Sequence, residues 1–249
     1  MNLTEYIKEN MVLIPKGQEL IRDFVDPVKW LSSDYKMSAP GTRKPKNTRE
    51  ELVDVSSFLL LKTTVANELY SYVTGIDCDV KIKDYPVVNV SWVETIEFCN
   101  RLSEKLGLEK CYISNSALEK TIVDYSKNGF RLPTDVEWQY ACRGNKKGYR
   151  YGEIEETAWY EKNSEKRLQE VKMKRANDFG LFDMIGNVWE WCYDSKEYKF
   201  WEKAPKETLY YYKNSLDRGD RRTRGGSWKD HTNKGYGGSF DINTREIYI

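Results

Sequence analysis

With 40 Lys and Arg against 39 Asp and Glu among 249 residues, a formal net charge of +1, the chain lacks the basic excess that a nucleic-acid backbone selects. Charged residues make up 32% and hydrophobic ones 39%, the balance of a globular domain, and no stretch approaches the ~20 apolar residues that would span a bilayer. No internal repeat or low-complexity linker divides the sequence, so one domain over residues 1–249 is expected, without nucleic-acid or membrane partners.

The N-terminus, MNLTEYIKENMVLIPKG, mixes charges into each apolar stretch and has no signal-peptide pattern, which points to the cytoplasm. Cys78, Cys99, Cys111, Cys142 and Cys192 are odd in number and widely spaced, with no Cys-x-x-Cys pair, and read as free thiols in a reducing compartment. The 18 Tyr and 8 Trp are many for this length. Such side chains combine apolar area with a polar tip and suit irregular cores and adaptable binding surfaces alike.

In chain order, Met11 to Pro15 reads as a strand entering a turn. Residues 16–50 are polar and punctuated by proline, without a period, and read as a long irregular loop. Val53 to Lys62 reads as one buried strand. In VANELYSYVTG, Val65, Leu69, Tyr70 and Val73 recur at helical spacing until Gly75. A second helix starts at Ser91, where Ser91 and Glu94 form a capping box and Ile96, Cys99, Leu102 and Leu106 line one face up to Gly107. A third has the same grammar: Thr134 caps, Glu137 reaches back, and Val136, Tyr140 and Ala141 point inward until Gly144. FGLFDMIGNVWEWCYD and RTRGGSW are too rich in glycine and aromatic residues for long regular elements, so the class is α+β with a large share of loop.

Taken together and in order, MVLIPKG, FLLLKTTVAN, PVVNVSWVETIEFCNRLS, GFRLPTDVEWQYACRG, NDFGLFDMIGNVWEW and RGGSW resemble the formylglycine-generating enzyme (sulfatase-modifying factor) family over roughly residues 11–228. The resemblance implies an α+β, C-type-lectin-like fold with little regular secondary structure. It also implies a closing Gly-Phe-Arg strand just beyond Ile249, so a sheet lacking its final strand is expected. The family's enzymes oxidise a substrate cysteine with oxygen at a copper ion held by two cysteines shortly after the GGS motif. On this chain those positions fall at Asp230 and Gly235, a hard ligand and no ligand for soft Cu(I), while Ser227 matches the motif serine. A second branch of the family holds iron through several histidines, and His231 is the one histidine here. Neither copper nor iron is therefore expected.

The loop FDMIGNVWEW is the best candidate metal site. Calcium takes six to eight oxygens from carboxylates and backbone carbonyls. Asp183 and Glu190 bracket a turn whose carbonyls at Gly186 and Val188 could complete part of a cage. By resemblance these four positions match a structural calcium site of the family, with Asp183 standing where relatives have Asn. In the alternative reading, Glu190 and Asn187 only hydrogen-bond the irregular backbone. The carboxylate pairs Asp135/Glu137 and Glu155/Glu156 read as capping and surface groups rather than catalysts, and the basic run from Arg218 to Arg224 gives only a weak anion-binding signal.

The last segment carries Ser227, Trp228, Lys229, Asp230, His231, Asn233, Tyr236, Asp241, Asn243 and Arg245 on a glycine-rich backbone. Adaptable polar groups beside aromatics are what binding loops use. In lectin-like relatives, including variable proteins diversified by retroelements, the equivalent segment displays the ligand-contacting residues. The expectation is thus a non-oxidising protein that binds a protein or small-molecule ligand through residues 227–245. The alternatives are an oxidoreductase-type enzyme of the family, acting on a peptide or small metabolite by an unrecognised site, and a structural module of a larger assembly.

Overall fold

In α1 (Leu3–Asn10) the Asn2 side chain accepts from the Glu5 N–H, and the chain then passes directly into β1 (Met11–Ile14). The computed structural model describes residues 1–22, 50–114, 121–146, 150–195, 221–230 and 237–240. Strand β1 pairs antiparallel with β4 (Phe58–Leu61), Ile14 opposite Phe58 and Met11 opposite Leu61. Ile14 is fully buried on one face of this ribbon, whereas Leu13 and Leu59, directly opposite each other, are 61% and 60% exposed.

The sequence expectation fails in two places nearby. Within the stretch expected to be loop, Gly17–Arg22 forms β2 and pairs along its whole length with β3 (Glu50–Val55). The buried Glu19 hides this strand, because a carboxylate on the inner face breaks the apolar alternation. Its burial is made possible by Arg143, whose guanidinium lies 2.9 Å away. The run Val53–Lys62 is also two strands rather than one, split at Ser56–Ser57, with β3 and β4 taking different partners. Residues 23–49 of the expected loop lie outside the described residues.

All three expected helices are present. Helix α2 (Asn67–Thr74) ends at Gly75, whose N–H still donates to the Ser71 carbonyl and whose left-handed φ of 79° then turns the chain out of the helix. Helix α3 (Trp92–Lys105) has the expected box: the Ser91 N–H donates to Glu94 at 2.7 Å and the Glu94 N–H to the Ser91 hydroxyl at 3.3 Å. In α4 (Asp135–Arg143), Thr134 and Glu137 exchange the equivalent bonds at 2.8 and 3.2 Å. Short strands β5 (Tyr112–Ser114) and β6 (Thr121–Val123) form a separate ladder. Beyond α4, the single-turn helix α5 (Ile154–Thr157) leads into β7 (Ala158–Trp159), which runs parallel to β8 (Ile185–Gly186). Strands β9 (Glu190–Ser195), β10 (Arg221–Arg224) and β11 (Gly237–Phe240) make a sheet with β10 in the middle.

Two apolar clusters fill the interior. One gathers Leu69, Trp92, Ile96, Leu102 and Trp191, the other Ile14, Val136, Ala141, Leu181, Ile185 and Cys192. Strand β9 runs between them, and its period of two sends Trp191 and Tyr193 into the first and Cys192 into the second. All five cysteines are free, and four of them are buried. Burial pushes the Cys99 thiol up to about 12, which leaves it inert as a nucleophile. Among the described residues, no helix is long and apolar enough to cross a membrane.

Candidate functional site

The site is built where β10 runs into the turn Gly225–Asp230, over the loop Asp183–Glu190. Arg224 at the end of β10 is tied to Asp135 at the first position of α4, with Nη2 2.7 Å from Oδ2 and a second, shorter contact through Nε. Burial alone would raise the Asp135 carboxyl, but Arg224 and Arg222 outweigh it and hold the group below the usual carboxylate range. The Asp135 N–H donates in turn to Asp194 of β9. Arg221 stacks 4.0 Å above the Trp92 ring and donates to the Tyr193 carbonyl at 2.9 Å. The described arginines of the basic run are therefore spent on internal pairs and stacks instead of facing an anion, and Arg218 lies outside the described residues. The tie from Asp135 to Arg224 had no sequence signal, since 89 positions separate the partners.

At Gly225 the chain takes a φ of +94°, which calls for glycine, and a Cβ there would stand a tight 3.3 Å from the Val188 carbonyl oxygen. The turn then closes on itself. Both the N–H and the hydroxyl of Ser227 donate to Asp230 Oδ2, at 2.8 and 2.9 Å, and the Asp230 N–H returns to the Ser227 carbonyl at 3.0 Å. Four further bonds pin it to the body of the protein. Trp228 N–H reaches the Asn187 carbonyl, Gly186 N–H the Gly225 carbonyl, Ser164 Oγ the Trp228 carbonyl and Glu161 N–H the Asp230 carbonyl, all between 2.8 and 3.1 Å. Ser227 and Asp230, expected among the ligand-contacting residues, are thus occupied in shaping the turn. Trp228 is half-buried and Lys229 exposed, with the Lys229 ammonium 4.8 Å from the Trp228 ring centroid. His231, Asn233, Tyr236, Asp241, Asn243 and Arg245 lie outside the described residues or outside those whose side chains are described, as does Gly235.

Beneath the turn, Asp183, Gly186 and Asn187 all have positive φ, at 56°, 78° and 58°. At Gly186 a Cβ would meet the Trp159 carbonyl oxygen at 2.1 Å, so the pairing of β8 with β7 requires glycine. Asn187 uses its amide as one of the alternatives foresaw, accepting from Gln169 N–H at 3.1 Å and donating to the Gln169 carbonyl at 3.0 Å. The two carboxylates are each half satisfied. Asp183 Oδ2 accepts from the Lys172 N–H at 2.7 Å and Glu190 Oε2 from Trp138 Nε1 at 2.8 Å, while the buried Asp183 Oδ1 and Glu190 Oε1 have no protein partner. Burial pushes Asp183 up to about 6 and Glu190 up to about 8, with the nearby Asp183 charge adding to the rise at Glu190. Among the described residues, no group of three or more His, Cys, Asp or Glu side chains could hold a metal, so an ion here would need backbone carbonyls as well. Elsewhere, Glu155 accepts from the Tyr160 hydroxyl and Glu156 pairs with Arg175 at 3.1 Å, both away from this site.

An RGGSW turn locked onto a DMIGNVWE loop, fed by two box-capped helices and short strands, defines an α+β fold of the formylglycine-generating-enzyme type. The Sulfatase-modifying factor enzyme 1-like domain matches residues 4–241, and the chain belongs to that family. It is 29% identical over 230 residues to the chaperone protein LppX of Paenibacillus barcinonensis, covering 77% of each chain. It is 28% identical over 162 residues to the inactive C-alpha-formylglycine-generating enzyme 2 of Bos taurus, covering 59% of this chain and 40% of that one. Among solved structures, Treponema denticola variable protein 1 superposes with a TM-score of 0.75 and 26% identity, covering 96% of this chain and 92% of that one.

Proposed function

We propose that this protein is a non-oxidising member of the family that presents a ligand-binding surface over residues 227–245, for a protein or small-molecule ligand, above a structural calcium ion. The observation that carries the first half is the state of Asp230. It stands where the first copper-binding cysteine would fall, it offers no thiolate, and its carboxylate is committed to the N–H and hydroxyl of Ser227. Soft Cu(I) does not fit such a position. The turn that this commitment stiffens carries Trp228 and Lys229 outward on a backbone fixed at both ends, and a rigid aromatic beside an adaptable polar group is the chemistry of a binding loop. Its test is a Cu(I) titration with oxygen-uptake measurement in the presence of a cysteine-containing peptide. Neither stoichiometric binding nor oxygen consumption is expected, and both together would overturn the reading.

Calcium fits the residues beneath. Asp183 Oδ1 and Glu190 Oε1 are buried hard oxygens without a partner, and such groups are costly unless something satisfies them. Asp183, Glu190 and the carbonyls of Gly186 and Val188 would hold the ion, which supplies positive charge where burial otherwise drives both acids toward protonation. Its role is to fix the loop to which Gly225 and Trp228 are hydrogen-bonded, and a melt with and without chelator tests it.

A further inference from the structure

An open groove of about 540 Å³ runs between the β1–β4 ribbon, α1 and the loop following α3, and adjoins an inner chamber of about 110 Å³. Groove and chamber share Met11, Leu59, Leu60 and Phe130 as walls, so they form one continuous cleft. The groove has the size of a small-molecule site, about 300–1,000 Å³, and the chamber approaches that of apolar cavities that stay dry and accept benzene, about 150 Å³. Chamber walls come from Leu61, Val65, Phe98 and Leu102 of the first apolar cluster.

The charge lining the groove is of one sign. Lys8, Lys127 and Arg131 line the groove, and among the described residues no acid does. Glu109 takes Lys127 at 2.6 Å and Glu137 takes Arg131 at 2.7 Å, which leaves the exposed Lys8 as a cation without an ion-pair partner among the described residues. Arg131 lines the chamber as well, paired with Glu137, and at the far end stands Glu190, which the calcium reading engages. The unpaired cation at the mouth attracts a negative head there, while the apolar walls of the chamber favour a hydrocarbon tail. We infer that this cleft binds a free medium-chain carboxylate, its tail in the chamber against Phe98 and Leu102 and its head beside Lys8. None of the described residues 227–230 lines this cleft, which meets the calcium loop at Glu190.

Titration calorimetry of the full chain with decanoate below its micelle concentration tests this, run once with calcium and once with chelator so that failure of the calcium reading does not count against it. One saturable site is expected in both, with decylammonium binding more weakly. Leu59→Glu, at a 60% exposed position that folding tolerates, should weaken decanoate by more than about tenfold, because it places charge on the apolar wall. Lys8→Glu should weaken it about fivefold at low salt, the scale of one exposed ion pair, and Leu52→Glu, exposed but outside the cleft, should change it less than twofold. Circular dichroism checks that each variant is folded. No saturable binding, equal affinity for decylammonium, unchanged affinity in Leu59→Glu, or a dimer of the native chain that Leu59→Glu dissociates would each overturn the assignment, the last by giving the cleft to a second copy.

Discussion

The two capped helices and the loop pair at the site reach rigidity by opposite means. Helices α3 and α4 are locally determined: a box at the start, an apolar face in the middle, and the loss of any one surface group costs little. The Asp183–Glu190 loop and the Gly225–Asp230 turn have almost no repeating pattern, and each is held by the other through single bonds such as Gly186 N–H to the Gly225 carbonyl. Stability in the first region is spread over many equivalent contacts. In the second it is concentrated in a few positions with no substitute, and that concentration is what lets a loop hold one shape.

Perturbations of graded size can break or sharpen this contrast. The largest effect is expected at Glu137, which closes the α4 box and also receives Arg131 in a bidentate pair at 2.7 Å. Glu137→Ala strands a buried guanidinium, and chemical denaturation should show a loss of about 4 kcal/mol. Gly186→Ala should cost about 3 kcal/mol in the same assay, combining a clash with the Trp159 carbonyl and a left-handed φ of 78°; a loss below 1 kcal/mol would mean the loop is as forgiving as a helix. Chelation should come next. With calcium at a hundredfold excess over its Kd, removal should lower stability by about 2.7 kcal/mol, and Asp183→Ala should abolish the response. Ser91→Ala, losing a cap alone, should cost only about 1 kcal/mol.

Acid titration probes the same contrast through the ion pairs. Asp135 and Glu137 are both held below their ordinary values despite burial, by Arg224 with Arg222 and by Arg131 respectively. A carboxyl with a depressed folded pKa binds fewer protons when folded than when unfolded. Its stabilisation is therefore complete above the unfolded value near 4 and is lost as pH falls through the folded one. The melting temperature should drop steeply below about pH 4, and less steeply in Glu137→Gln.

The same division decides what could be read in the sequence. Ser91 with Glu94 and Thr134 with Glu137 announce their helices because capping needs only residues three apart. The ordered motifs carried the family and the fold. Strand β2 was illegible because Glu19 occupies an inner position, and its excuse, Arg143, lies on another element. The tie of Asp135 is hidden in the same way, since nothing near it in sequence names Arg224. For the site, the motifs named Ser227 and Asp230 but not their engagement with each other, which depends on how the backbone turns after two left-handed glycines.

The position of β9 between the two apolar clusters has a mechanical consequence. A one-residue slip of this strand would exchange Trp191 for Cys192 and put the wrong side chain into both clusters at the same moment. Neither half can then loosen while the other keeps its packing, because the strand is a common wall with no neutral setting. Heat or denaturant should meet a single cooperative transition, and a ligand that tightens one side of that wall should be felt in the hydrogen exchange of the other.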